Sequence, residues 1–322
     1  MGTDSVIDRN ESLFYPAPLK TGDKIALTSP SSAVKEEFVT GAMKTLEKRG
    51  YEPVLMPHAL GHVDGSFAST KSERLIDLFD ALENSDYKAI LCTRGGYGAC
   101  QLLSKLTPGI VGKNPKWIIG FSDISALHAL WYSSGVASIH GPMAKHLATM
   151  PSDDPCTESL FEMLENGGRF DYSFPCHIYN HPGKATGTLL GGNFAVLTDL
   201  ASTKQDILDI PNGQEDVILF LEDIAEPIYK VNRMLWRLYL NGSLRKVKGI
   251  IFGQFTEYKG DKNFDTMEDM IKEFIDHTIV PKDLPIVYNF PVGHSDLNYP
   301  LTVGAKVELV ATGEIVRLRT IF

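Results

Sequence analysis

The sequence lacks an excess of basic residues, a long apolar run and a paired-cysteine motif. Of its 322 residues, 31 are Lys or Arg and 40 are Asp or Glu, so the formal net charge is −9. A surplus of negative charge argues against nucleic acid or an anionic membrane as the main partner. No apolar run approaches the roughly 20 residues of a membrane-spanning helix, and the polar start of the chain has no signal-peptide pattern. We therefore expect a soluble, untargeted protein.

Metal-binding patterns are also missing. The four cysteines, at positions 92, 100, 156 and 176, contain no C-x-x-C pair, so neither a zinc site nor a disulfide framework is indicated. The nine histidines include no H-E-x-x-H motif, which disfavours a metallopeptidase. The sequence thus predicts chemistry without a metal.

The first half of the chain alternates short apolar runs with helical spacing. The predicted strands are 24–28, 51–56, 89–92 and 116–119, and the predicted helices are 37–49 and 70–82. In the second helix the apolar face is predicted to contain Leu75, Leu78, Phe79 and Leu82. Strands that alternate with helices in this way predict an α/β fold with a parallel sheet covered on both faces. Ligands of such sheets bind at the carboxyl ends of the strands.

Prolines and glycines interrupt this pattern between residues 151 and 186. Beyond them, strands are predicted at 217–221, 247–252, 285–290 and 306–310, helices at 228–240 and 267–277, and a hairpin at 305–322. The length is sufficient for two domains. The predicted organisation is an N-terminal extension (1–18), an α/β domain (19–150), a linker (151–186) and a C-terminal domain (187–322).

Ser122 lies in the sequence G-F-S-D at 120–123, between an apolar run and an amphipathic stretch. A serine on a sharp turn between a buried strand and a helix exposes its hydroxyl, and the N–H of the next residue, Asp123, then faces the attacked carbonyl. The fifth residue is Ile124, whereas lipase-like hydrolases have glycine there. A Ser or Asp before an apolar run is equally typical of a helix N-cap. The turn alone leaves a nucleophile and a cap as alternatives.

A serine nucleophile needs a base, and the base needs a group that orients it. His294 directly follows a glycine and the apolar run 286–290, from where it could reach across a cleft; an ordinary loop histidine is the alternative. The orienting group is Glu222 or Asp223, because the apolar run 217–221 delivers both carboxylates at the end of a buried strand. Capping of the following helix is the other use of Asp223.

The sequence T-R-G-G-Y-G at 93–98 follows another predicted strand. Its glycines allow backbone N–H groups to approach an anion closely, but the spacing matches neither common nucleotide-binding motif. The functional interpretation is a second oxyanion donor beside the N–H of Asp123, and the alternative is a tight turn.

These motifs occur in order with H-G-P at 140–142, L-G-G-N at 190–193, F-L-E-D at 220–223 and V-G-H at 292–294. The ordered set closely resembles the LD-carboxypeptidase (muramoyltetrapeptide carboxypeptidase) family of serine peptidases, which includes the microcin C self-immunity peptidases. The resemblance extends from residue 19 to residue 305. It implies an N-terminal parallel-sheet domain like that of glutamine amidotransferases and a smaller, strand-rich α/β C-terminal domain, with the active site between them.

The resemblance also implies a triad: Ser122 as nucleophile, Glu222 as orienting carboxylate and His294 as general base. The backbone N–H groups of Asp123 and Gly96 would hold the oxyanion. Neither a metal nor an organic cofactor is implied, and a homodimer is expected.

Three residues are candidates for binding substrate: Arg94, Tyr97 and Arg233. The two arginines are considered because a guanidinium group binds a free carboxylate in a bidentate fork.

The implied reaction removes the terminal D-alanine from a murein tetrapeptide, at the bond that follows an L-configured centre, during cell-wall recycling in the cytoplasm. Two alternatives remain. One is a microcin-immunity-type peptidase that cleaves aminoacyl- or peptidyl-nucleotide amides, and the other is a non-catalytic muropeptide-binding protein. Neither nucleic acid nor a membrane is expected as a partner.

Overall fold

A computed structural model describes residues 13–63, 65–209, 216–278 and 284–322, so the first twelve residues of the predicted extension 1–18 lie outside the described residues. The strands are β1 (Lys24–Thr28), β2 (Glu52–Leu55), β3 (Tyr87–Cys92), β4 (Trp117–Gly120), β5 (Ser138–His140), β6 (Asp171–Pro175), β7 (Gly183–Asn193), β8 (Val217–Ile224), β9 (Val247–Thr256), β10 (Ile286–Val287), β11 (Leu301–Val303), β12 (Lys306–Ala311) and β13 (Ile315–Thr320). The helices are α1 (Glu36–Lys48), α2 (Lys71–Glu83), α3 (Ala99–Leu102), α4 (Pro108–Lys113), α5 (Ser125–Ser133), α6 (Ala144–Thr149), α7 (Pro155–Glu165), α8 (Phe194–Asp199), α9 (Ile228–Leu240) and α10 (Met267–His277). The predicted α/β class is confirmed.

The first sheet has the strand order β11-β5-β4-β3-β1-β2. Its strands β1 to β5 pair in parallel, as the alternation of strands and helices predicted. β4 is buried along its whole length, which is why it consists of apolar residues and glycine only. β11 comes from the far end of the chain and pairs antiparallel with β5, so that Leu301 lies opposite His140. The first sheet is therefore completed by a strand that follows the second sheet's β10 in the sequence.

The second sheet has the order β10-β9-β8-β7-β12-β13-β6. Strands β7 to β10 are parallel, whereas β12, β13 and β6 add antiparallel pairs at one side. The predicted C-terminal hairpin is confirmed as β12 and β13. β8 lies between β7 and β9 and is buried from Val217 to Asp223, so it is the central strand that its apolar sequence predicted.

Two predicted segments differ from the structure. The predicted strand 285–290 is wrong in extent, because only Ile286–Val287 forms a strand before Asn289 turns the chain at φ +52°. Regular structure also continues through the predicted linker 151–186, which contains α7, β6 and the start of β7. Apolar residues of α7 such as Leu160 and Phe161 pack into the core. The predicted domain boundaries themselves stay a prediction.

The buried face of α2 is rotated from the face that the sequence predicted. Its buried residues are Arg74, Asp77, Leu78, Ala81 and Leu82. Leu75 and Phe79, which were predicted to belong to the apolar face, are only partly buried against the core. The rotation places a charged residue, Arg74, beneath the loops at the sheet edge, where its guanidinium group finds hydrogen-bond acceptors.

The carboxyl ends of strands from both sheets meet at the loops that carry the sequence motifs. The loop 93–98 follows β3, the serine turn follows β4, and Glu222 lies near the end of β8. At this junction the backbone N–H of Asn193 donates to Oγ of Ser125 over 2.9 Å. The two sheets are thus joined by a buried hydrogen bond beside the serine turn.

Candidate active site

Ser122 is the first residue of a short 3-10 helix, Ser122–Ile124, which follows the end of β4 at Gly120. Its φ angle is +65°, a left-handed conformation that is costly for a residue with a side chain and is concentrated at functional sites. The residues that cap the two helices here are Phe121 and Ile124. Neither Ser122 nor Asp123 is therefore the N-cap of a helix, and the helix-cap alternative is wrong.

His128, on α5, forms a hydrogen bond to the backbone just before this turn. Its Nε2 donates to the carbonyl of Gly120 over 2.8 Å, and its Nδ1 lies 2.9 Å from Oγ of Ser138. The imidazole is fully buried, and burial lowers its pKa to about 4 despite the hydrogen bond to Gly120. A neutral imidazole thus fixes the residue two positions before Ser122.

The glycine loop 93–98 lies directly against the serine. A Cβ atom built on Gly95 would be 2.8 Å from Cβ and 3.1 Å from Oγ of Ser122, so only glycine allows this approach. Gly96 has φ +103°, and the N–H of Tyr97 donates to Oγ of Ser32 over 3.1 Å. Within the described residues, the N–H groups of Gly96 and Asp123 donate to no protein acceptor. Both predicted oxyanion donors are therefore available to a ligand.

The carboxylate that pairs with His294 is Glu222. The sequence motifs alone had left Glu222 and Asp223 as alternatives for this role. Oε2 of Glu222 lies 2.6 Å from Nδ1 of His294. Burial lowers the pKa of His294, but the charge and hydrogen bond of Glu222 outweigh it, so that the net pKa is raised. Gly293 has φ +115°, and a Cβ there would be 2.7 Å from Oε2 of Glu222. The glycine before the histidine is thus required for this contact.

His294 approaches the serine turn through Phe121. The two ring centroids are 4.8 Å apart, with the ring planes inclined by 58°. Among the described residues, no hydrogen bond joins the Ser122 hydroxyl to His294. The imidazole therefore lies beside the turn without a hydrogen bond to the Ser122 hydroxyl.

Asp223 has a structural function instead of capping α9. Its carboxylate accepts from Nδ2 of Asn193 and from the N–H groups of Ala195 and Ile224, each over 2.9 Å. Burial, followed by the negative charge of Glu222, raises the pKa of Asp223 to about 6. It thus holds the start of α8 against the end of β8.

A cavity of about 710 Å³ opens beside Ser122 between the two sheets. Gly96, Tyr97 and Asp123 line it from the first half of the chain. From the second half it is lined by α8, the residues that follow α8, and Asp223. The volume is in the range of small-molecule and peptide sites.

The three candidate substrate-binding residues lie in different places. Tyr97 lines the cavity and packs against Phe67, with 5.2 Å between ring centroids. Arg94 is exposed, and its Nη1 donates to the carbonyl of Ala33 over 2.5 Å. Arg233 is not brought to this cavity: it stacks over Tyr229 on the outer side of α9, beside a different depression.

Sequence reasoning missed the side-chain functions of Arg74, Asp123 and His128, which all act on the backbone of neighbouring loops. A charged or polar side chain at a helical position usually predicts a solvated face, so the sequence offered no signal for them.

In the part of the chain that is described, no group of three or more His, Cys, Asp or Glu residues is arranged to hold a metal ion. No helix within the described ranges has the length and apolar content that crossing a membrane requires.

Comparisons with known proteins match this arrangement. The models of the LD-carboxypeptidase N-terminal and C-terminal domains match residues 25–141 and 186–309. The murein tetrapeptide carboxypeptidase of Pseudomonas aeruginosa is 32% identical over 285 residues, which cover 85% of this chain and 89% of that protein. The microcin C7 self-immunity protein of Escherichia coli is 26% identical over 330 residues, with 91% and 92% covered. A crystal structure of muramoyltetrapeptide carboxypeptidase from Oxalobacter formigenes superposes with a TM-score of 0.81 at 27% identity, covering 92% of this chain and 98% of that one.

Matches to both domains of one peptidase family, over most of the chain, define the class: the protein is a peptidase and thus a hydrolase. More narrowly, the chain belongs to the LD-carboxypeptidase family, and the resemblance seen in the ordered motifs is confirmed.

Proposed function

We propose that this protein is a serine LD-carboxypeptidase that removes the terminal D-alanine from murein tetrapeptides. The observation that carries the proposal is the Glu222–His294 pair, with 2.6 Å between Oε2 and Nδ1, at the junction that also holds the strained Ser122 turn. The substrate class, murein tetrapeptides, is inferred from the names of the relatives. The reaction type, attack by a serine hydroxyl, is inferred from the residues of the site.

In the proposed mechanism, Oγ of Ser122 attacks the carbonyl carbon of the L-configured residue, and Nε2 of His294 accepts the hydroxyl proton. Glu222 holds the imidazole through Nδ1 and stabilises the imidazolium that forms. The N–H groups of Asp123 and Gly96 donate to the tetrahedral oxyanion. His294 then gives its proton to the nitrogen of the leaving D-alanine, and water hydrolyses the acyl-enzyme.

An exopeptidase also has to recognise the free carboxylate of the terminal residue. Of the two arginines considered for this, Arg94 is the better candidate, because it lies in the glycine loop beside Ser122 and, among the described residues, only its Nη1 is engaged, with the carbonyl of Ala33. Tyr97 is proposed to contact substrate from the cavity wall. Arg233 faces away from this cavity, which argues against a direct role.

The finer statements about organisation are proposals as well. We propose a catalytic arrangement in which residues 19–150 supply Ser122 and residues 187–322 supply Glu222 and His294, with 151–186 between them. We propose a homodimer because the family resemblance implies one, and a cytoplasmic location because the proposed reaction belongs to cell-wall recycling.

The second candidate is cleavage of an aminoacyl- or peptidyl-nucleotide amide, because the microcin C7 self-immunity protein matches 91% of the chain. Product analysis separates the two. Defined muropeptides that end in L-centre–D-Ala, with lysine or diaminopimelate as third residue, are incubated in parallel with an aminoacyl sulfamoyl adenosine. Release of D-alanine supports the proposed reaction, and release of the amino acid from the nucleotide analogue alone supports the second candidate.

Ser122→Ala serves as the control for contaminating peptidases. Binding of muropeptide without turnover of any of these substrates, in wild type as well as in this variant, would indicate the non-catalytic alternative.

A further inference from the structure

Arg74 is a buried cation whose hydrogen bonds, within the described ranges, all go to neutral acceptors. It is 2% exposed. Nε donates to the carbonyl of Ser69, Nη2 donates to Oε1 of Gln101 over 2.7 Å, and the guanidinium plane stacks over the ring of Phe67 at 4.8 Å. Burial of a charge is costly unless the charged group is fully hydrogen-bonded, and all three guanidinium nitrogens of Arg74 donate to protein acceptors.

The remaining nitrogen of Arg74, Nη1, connects two loops at the edge of the first sheet. It donates to the carbonyl of Pro30, over 2.6 Å, and to the carbonyl of Gly98, over 3.2 Å. Pro30 belongs to the turn after β1, and Gly98 ends the glycine loop after β3. One guanidinium group therefore sets the spacing between these two loops.

The carboxylate of Asp123 holds the same two loops at the neighbouring residues. Its Oδ2 accepts from Oγ of Ser31 over 2.6 Å and from the N–H of Ala99 over 2.8 Å. Ser31 follows Pro30, and Ala99 follows Gly98. In each loop, Arg74 binds one residue and Asp123 binds the residue that follows it. These pairs are Pro30 and Ser31 in the first loop, and Gly98 and Ala99 in the second.

Asp123 adjoins Ser122, so this arrangement fixes the glycine loop relative to the proposed nucleophile. An oxyanion donor acts only when it lies about 2.7–3.1 Å from the developing charge, and misplacement by about 1 Å costs roughly 100-fold in rate. A flat guanidinium group reaches several carbonyl groups at once, whereas an ammonium group does not have this fork geometry.

We propose that Arg74 is a positioning residue for the oxyanion site: together with the Asp123 carboxylate it holds the loop 93–98 at the distance from Ser122 that oxyanion binding requires. This inference rests on the proposed function of Ser122 as nucleophile. It predicts that the loss of Arg74 affects reaction at the serine more than it affects substrate binding.

Arg74→Met and Arg74→Lys are the variants for this experiment. Methionine keeps the aliphatic packing on Phe67 and removes the fork, while lysine keeps the charge. Arg49→Met is the matched control, because Arg49 also stacks on a phenylalanine, Phe161 at 5.1 Å, but pairs with surface carboxylates away from the cavity.

The first measurement is the rate at which a fluorophosphonate labels Ser122, with the unfolding temperature recorded for each variant. This reagent needs the nucleophile and the oxyanion site but no murein recognition. Arg74→Met is expected to slow labelling about 100-fold or more, Arg74→Lys to slow it nearly as much, and Arg49→Met to leave it within threefold. With a muropeptide substrate, Arg74→Met is expected to lower kcat and to change KM less than threefold.

Ser31→Ala provides a second route if Arg74→Met does not fold. It removes one hydrogen bond to Asp123 and no charge, and it is expected to slow labelling about tenfold. Folded Arg74→Met protein that labels at the wild-type rate overturns the inference, as does an effect confined to KM. Absence of Ser122 labelling in the wild type instead rejects the proposed function, and the inference with it.

Discussion

Oε2 of Glu222 lies 2.6 Å from Nδ1 of His294, although 72 residues separate them in the chain. Glu222 is fully buried at the end of β8, and the His294 side chain is 13% exposed. Oε1 of Glu222 has no hydrogen-bond partner among the described residues. The hydrogen bonding of this carboxylate is therefore directed to Nδ1 of His294, and Nε2 of the same ring makes no hydrogen bond to a protein group among the described residues.

Replacement of Glu222 by Gln is expected to lower kcat by about 10³- to 10⁴-fold, because the imidazolium loses its counter-charge. His294 must be neutral to accept a proton, and its raised pKa means that activity increases as the pH rises through that value. Without the Glu222 charge the pKa falls, so the acid limb of kcat/KM should move to lower pH. A pH–rate profile measures this shift.

Glu308→Gln is the control for Glu222→Gln, since Glu308 forms ion pairs with Lys184 and Arg319 in the C-terminal sheet. It should leave both kcat and the pH profile unchanged. An unaltered acid limb in Glu222→Gln would contradict the assigned pairing.

Ser122→Ala is expected to reduce turnover by several orders of magnitude, about 10⁴-fold or more, with the protein still folded. Alanine removes the hydroxyl that His294 would deprotonate, and it also removes the site of fluorophosphonate attachment. Mass spectrometry of labelled protein and a D-alanine release assay check both effects. Near-normal turnover would exclude Ser122 as the nucleophile.

Gly95→Ala tests the close approach of the glycine loop. The new methyl group would lie 2.8 Å from Cβ of Ser122, so either the loop or the serine has to move. We expect kcat to fall about 100-fold while the far-ultraviolet circular dichroism spectrum stays that of the wild type. Gly313→Ala, at a hairpin turn where a Cβ meets nothing within 4 Å, should be active; equal activity in both variants would show that the approach is dispensable.

His128 should make the stability of the protein sensitive to acid. Its pKa in the folded protein is about 4, below that of an unfolded histidine near 6.5. The unfolded chain therefore binds protons first, and the free energy of unfolding decreases as the pH falls through this interval, by on the order of 3 kcal/mol in total.

His128→Gln is expected to be less stable at pH 7, by about 1–3 kcal/mol for the disturbed buried hydrogen bonds, but to lose less stability on acidification. Urea unfolding at pH 7, 6 and 5 compares the two slopes. His140 is also buried, and its pKa is lowered by burial and then by the charge of His128, so the difference in slope reports on His128 together with its effect on His140. Parallel slopes would disprove the assignment.

Local patterns predicted that Ser122 and Glu222 lie at strand ends, as the structure has them after β4 and near the end of β8, whereas β10 ends at Val287, well before His294. An apolar run followed by an abrupt polar turn indicates a buried strand end, and parallel strands bring such ends together. The choice of Glu222 over Asp223 needed the resemblance, since two adjacent carboxylates differ only in the side of the strand to which they point.

The side-chain functions of Arg74 and His128 could not be predicted in the same way. Arg74 binds carbonyl groups 44 and 24 residues away, and no pattern within α2 marks it as buried. β11 was missed for a similar reason: three residues after a proline give little local signal, and their pairing partner, β5, lies more than 150 residues earlier in the chain.

The pairing of β11 with β5 has a consequence for the order in which the protein folds. During synthesis the first 140 residues can form β1 to β5, but the backbone edge of β5 stays open until Leu301–Val303 has left the ribosome. An open edge strand readily pairs with another chain. The first half of the nascent protein therefore has to remain protected until nearly the whole second half is made, and truncated chains ending before residue 301 should self-associate through that edge.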